Sequence, residues 1–353
     1  MQPAHTVTRA VFTLVLVACC ISCGQERASR PASLPLLAPL KTHVLPVVFV
    51  ENHSLPTLTD DEIKSILDLV TVKAFETLRL RVELSYAGRN QIADFFSQLP
   101  PSAGEQIKGG VYDFKRGKGD KALLLRGTAA SLRQAGDDSA AARAYAAPYL
   151  IAAPTDASLT AFVDALVETQ LRTLEAWRHV SGSDGKSVID DSPLNEYTYW
   201  LALSAGAVRH ELVLTNQLVA SAEYLGNALH SALRGGVSNG FTNSAAFTKS
   251  GLTSIVSVYP FIAQDRLTKR LRDGEFPKKS ARDEAIAMLV VHELGHQLLG
   301  LGHPFENDAC VMNPPKVLHF KEWLANIDPA KCPLGSGPDM RPGRFAFPDL
   351  RKN

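Results

Sequence analysis

The chain has 353 residues, 45% hydrophobic and 21% charged, an ordinary globular composition able to bury one large core or two modest ones. Lysine plus arginine number 37 against 36 aspartate plus glutamate, so no net field draws in nucleic acid or an anionic membrane face. A nucleic-acid partner is not expected.

The chain opens with Arg9 ahead of the apolar run Ala10-Val-Phe-Thr-Leu-Val-Leu-Val-Ala18, too short to span a bilayer and patterned as a signal peptide. It ends in Leu16-Val17-Ala18-Cys19, which resembles the bacterial lipobox and makes Cys19 the candidate lipid-bearing residue; a plain secretory signal cut near Ser22 or Gly24 is the alternative. Residues 1–23 are therefore expected to be an address, and the mature chain to sit in the bacterial cell envelope on a lipid anchor, or else to be secreted. Residues 24–42 contain a proline-rich stretch that need not fold and would serve as a tether. Cys19, Cys20 and Cys23 fall in the leader, which leaves Cys310 and Cys332 as the one pair in the body and, outside the cytoplasm, a candidate disulfide.

The folded body is expected over 43–353. Val44 to Val50 is a compact β-branched run and a buried strand, whose regular part Pro46 would delay to Val47. Thr59-Asp-Asp-Glu62 has the form of a capping box, and Ile63, Ile66, Leu67, Val70 and Ala74 follow at helical spacing. A second strand, about Leu80 to Tyr86, completes the opening of an α/β unit. From about 90 to 205 the sequence turns rich in Ala, Arg, Glu and Gln, with helical segments near 128–146 and 157–180, and reads as a helical insertion. The sheet resumes in Leu212-Val-Leu-Thr-Asn216 and in Thr253 to Tyr259. Ser280 then offers a cap for a strongly apolar helix, Ala285 to Gly300.

That helix carries His292-Glu293-Leu294-Gly295-His296. A four-residue step is a little over one turn, so both imidazoles project from one face toward one ion, which zinc suits. Glu293 stands beside them as an unligated carboxylate able to take a proton from an attacking water. The apolar lead-in, Ala287-Met-Leu-Val-Val291, would bury these three polar groups at a cost unless a ligand or partner compensates. A catalytic site needs a third protein ligand with one position left open, and His303 is the candidate. On a straight helix it would lie roughly 16 Å along the axis from His292, so the chain must turn first, and Gly300 or Gly302 can make that turn.

His292-Glu-Leu-Gly-His-Gln-Leu-Leu-Gly-Leu-Gly-His303 followed by Cys310-Val-Met312-Asn-Pro resembles the metzincin zinc peptidases, and among them the archaemetzincins. The resemblance is strong over about His292 to Pro314. It implies a mixed, mostly parallel upper sheet with a backing helix and an active-site helix, an irregular lower part from His303 onward, one zinc on His292, His296 and His303, Glu293 as general base, Met312 in a Met-turn beneath the metal, and a peptide or protein substrate. Three departures stand out. One extra residue separates His296 from His303; Pro304 replaces the family's cysteine, and its later C-x-x-C is reduced to Cys332, so no second zinc is expected; and the helical insertion lies outside the resemblance. Two other readings remain: a gluzincin-like peptidase with Glu322 as third ligand, and a non-catalytic zinc lipoprotein that binds a partner. Tyr259, Glu306, Asp308 and His319 are read as structural or exposed.

Overall fold

In the computed structural model, the described residues are 41–97, 121–134, 139–189, 193–195, 200, 211–220, 232, 236–238, 240–243, 253–304 and 307–332. The leader, Cys19, the greater part of the tether and Glu306 lie outside them. Among the described residues no helix is long and apolar enough to cross a membrane.

The chain starts with strand β1 (Thr42–Glu51), helix α1 (Asp60–Leu78) and strand β2 (Arg81–Gln91), β2 lying parallel to β1. Thr59 caps α1 as expected: its hydroxyl accepts from Glu62 N at 3.2 Å, and Glu62 Oε2 accepts from Thr59 N at 2.7 Å. Pro46 does not delay β1. Its carbonyl accepts from Glu211 N, just outside strand β3 (Leu212–Thr215), which pairs with β1 only from Val47. The missing N–H therefore points where no ladder partner is required.

After β2 come α2 (Ile92–Phe96) and three longer helices, α3 (Lys121–Gln134), α4 (Ser139–Ala146) and α5 (Leu159–Trp177). The chain returns through β3, β4 (Val219–Ala220), β5 (Val237–Ser238), β6 (Gly240–Asn243) and β7 (Thr253–Ser257) to α6 (Tyr259–Ile262), α7 (Arg266–Leu271), α8 (Lys279–Leu299) and α9 (Phe320–Asn326). The fold is α/β around a mixed five-stranded sheet of order β2-β1-β3-β7-β6, parallel except for the edge strand β6; β4 and β5 form a separate antiparallel pair. Ser280 is not the cap of α8, which begins one residue earlier, after Lys278, with no side-chain cap bond.

Strand periodicity sorts the two faces. Leu45, Val47, Phe49, Leu212, Leu214 and Val256 join α1 and α8 in the larger core, while Val48, Val50, Val213 and Ile255 pack with Phe95, Phe96, Trp200 and Phe241 on the other face. Helices α3 and α5 share the larger core: Leu124, Phe162, Leu166 and Leu174 belong to it, and Trp177 meets Tyr259 edge-on at 6.0 Å. Ion pairs fasten α1 to α8, with Arg282 2.9 Å and Lys279 3.0 Å from Glu62 and Lys73 3.2 Å from Glu284. Burial alone would push the Glu62 carboxyl up, but the Thr59 N–H, Arg282 and Lys279 outweigh it and hold it at about 2.

Candidate metal centre

Helix α8 places His292, Glu293 and His296 at its last turns, and Gly300 ends it in the left-handed conformation at φ 63°. The Gly300 and Leu301 N–H groups turn back onto the His296 and Gly295 carbonyls at 3.2 Å each, and this reversal brings His303 up to the helix. The three Nε2 atoms converge: His292 to His296 is 3.1 Å, His292 to His303 3.2 Å and His296 to His303 2.9 Å. The six residues between His296 and His303 are thus accommodated with the three nitrogens still convergent.

Ring orientation explains what this triangle can hold. Nδ1 of His292 lies 2.9 Å from the Val311 carbonyl and Nδ1 of His296 against the Leu301 carbonyl. A carbonyl only accepts, so each of these rings keeps its proton on Nδ1 and turns the lone pair of Nε2 inward. Lone pairs this close repel one another unless a cation lies between them. Protonating the rings instead would bury positive charge on His292 and His303, which are 0% and 4% exposed. The three histidines form a group able to hold one metal ion. Glu322, the alternative third ligand, stays apart: its side chain is 49% exposed and lies 3.6 Å from both Lys316 and His319.

Glu293 is 1% exposed and held from the sheet edge. Thr242 of β6 donates to Glu293 Oε2 at 2.8 Å and sits 2.8 Å from the Ser254 hydroxyl, while Ser254 of β7 lies 2.8 Å from Gln297 Oε1. Gln297 Nε2 in turn donates to the Glu211 carbonyl at 3.1 Å. Gly240 leaves room for this carboxylate, since a β-carbon there would meet Glu293 Oε1 at 2.5 Å. None of Thr242, Ser254, Gln297 or Gly240 is singled out by the sequence, because strand threonines and serines carry no spacing signal toward a helix some fifty residues later.

Met312 is fully buried, with its side chain against Gly295 of α8. A β-carbon on Gly295 would collide with its sulfur, which explains a glycine inside a helix where it costs about 1 kcal/mol relative to alanine. Cys310 and Cys332 are disulfide-bonded, as expected. Trp323 of α9 donates from Nε1 to the Asn313 carbonyl at 2.6 Å, and its ring centroid lies 6.4 Å from that of His292. Tyr259 is buried with its hydroxyl 3.2 Å from Asp265, and desolvation first, then that carboxylate, push its phenol up. Asp308 accepts from Asn313 at 2.7 Å, and His319 packs edge-on to Tyr149 at 5.1 Å; both lie outside the histidine cluster.

Compared with known protein families, characterised proteins and solved structures, the chain shows no significant match.

Proposed function

We propose that the chain is a zinc-dependent peptidase of metzincin type, with the ion on His292, His296 and His303 and Glu293 as general base. The observation that carries this reading is the convergence of three Nε2 atoms within 2.9–3.2 Å of one another, with Glu293 next to His292 in the chain and buried. Tetrahedral zinc with nitrogen ligands at about 2.0–2.1 Å needs ligand separations of roughly 3.3–3.4 Å, within a few tenths of an ångström of those distances. Three histidines leave one tetrahedral position for substrate or water, whereas a purely structural site is closed by four protein ligands.

Zinc bound there supplies Lewis-acid polarisation of a carbonyl at neutral pH. The chain's own part is acid–base work and positioning. Glu293 accepts a proton from the attacking water and returns it to the departing amine, while Thr242 holds Oε2 and so fixes which way the carboxylate faces. The carbonyls of Val311 and Leu301 keep His292 and His296 in the Nδ1–H tautomer. A peptide or protein is the substrate. The leader, the lipobox-like Cys19 and the Cys310–Cys332 disulfide support an envelope location, where disulfides persist.

The test is cleavage of an unbiased peptide library by the full chain and by Glu293→Gln. Wild type is expected to cleave, and the variant to lose about 10²–10⁴-fold in rate while retaining its zinc. Equal cleavage by the two proteins would overturn the role of Glu293, and absence of cleavage by wild type would favour a non-catalytic zinc protein.

A further inference from the structure

Away from the histidine cluster, a crevice of about 510 Å³ opens where α5 and α7 meet the segment after the Met-turn. Its volume falls in the range of small-molecule sites, roughly 300–1,000 Å³. Leu150, Leu166, Leu267 and Leu271 give it an apolar lining, and Arg172 of α5 and Arg270 of α7 add positive charge from two different helices; among the described residues no carboxylate lines it. Glu322 lies 3.6 Å from His319, and the Tyr149 phenol is pushed up by burial first and then by Glu322 and Asp308. Arg172 keeps Glu168 at 2.7 Å one turn earlier on its own helix, while among the described residues Arg270 has no acidic group within 4.0 Å.

A second observation marks the same place. Val317, which lines the crevice, has φ 52°, a conformation in which a β-branched residue is strained. Such strain persists where the surroundings impose it, and ligand clamps are among the places where it gathers. The buried Tyr145 hydroxyl of the insertion holds this segment by donating to the Pro315 carbonyl at 2.9 Å.

We propose that this crevice is a second binding site, for an aliphatic carboxylate of medium chain length. The hydrocarbon body lies against Leu166, Leu267 and Leu271, and the carboxylate faces Arg172 and Arg270. Charge-assisted bonds from guanidinium give the head group its affinity, and the apolar lining sets the preference for a hydrocarbon body.

Calorimetric titration of the full chain with decanoate tests this, with decan-1-ol as the uncharged probe of equal length. Saturable binding of one decanoate per chain is expected, with decan-1-ol at least about tenfold weaker. The double variant Arg172→Ala/Arg270→Ala is expected to weaken decanoate by at least about tenfold. Ala176→Phe, which fills the crevice from α5, is expected to remove binding, and circular dichroism reports whether each variant keeps its fold. Absence of saturable decanoate binding, equal binding of the alcohol, or unchanged affinity in folded variants would each overturn the assignment.

Discussion

On α8 a single helical step brings His292 and His296 to one face, and the helix is backed by α1 and the sheet. Between Gly300 and Cys332 the described residues have one short helix, α9, and the segment is tied by the Cys310–Cys332 disulfide, the Trp323–Asn313 bond, and the Tyr145–Pro315 bond across 170 residues. One half of the centre is locally encoded and rigid by secondary structure, while the other is held by cross-links over an irregular loop. Damage to the second half should therefore lower metal affinity while leaving the helical half folded.

The largest expected effect separates the third-ligand candidates. His303→Ala should lower zinc affinity by more than the roughly 10–100-fold that loss of an outer-shell partner costs, while Glu322→Ala leaves it unchanged. Equilibrium competition with a chelator measures both, and the reverse ranking would break the comparison. Cys332→Ser comes next. Opening a loop with a sequence separation of 22 should cost about 3 kcal/mol in a urea melt. Hydrogen exchange should rise between 303 and 332 well before it rises along α8.

Gly295→Ala sharpens the point at which the halves touch. Overpacking against Met312 costs about 1–3 kcal/mol, and better helix propensity offsets about 1 kcal/mol of it. In a Met312→Ala background the same change should become neutral or stabilising, a coupling that a double-mutant cycle reads directly. The smallest effect concerns the helical frame. The folded Glu62 pKa is depressed, so its contribution is present above the ordinary 4.5 and is lost as pH falls toward about 2. Glu62→Gln should therefore lose on the order of 1 kcal/mol near neutral pH and show a flatter acid limb in urea melts over that window.

Legibility in the sequence follows the same division. The capping box at Thr59 and Glu62, the compact apolar run of β1 and the i, i+4 histidines are short-range patterns, and each is found where the sequence places it. A turn at Gly300 or Gly302 was readable as a necessity, since a straight helix cannot bring His303 back; that Gly300 makes it, and with which hydrogen bonds, was not. Pro46 and Ser280 misled for one reason: a ladder position and a helix cap depend on which neighbour arrives, here Glu211 and the loop before Lys278. The Thr242–Ser254–Gln297 chain and the strained Val317 left no trace in residue spacing, because they arise only when strand edge, helix and loop are assembled.

The central claim is that three histidines from these two differently built halves hold one zinc ion. X-ray absorption at the zinc edge, made on the full chain after loading with one equivalent and repeated on His303→Ala, tests it most directly. The account predicts three imidazole nitrogens at about 2.0–2.1 Å in wild type and the loss of one of them, with weakened binding, in the variant. Failure to bind zinc, or an unchanged three-imidazole shell in His303→Ala, would contradict it.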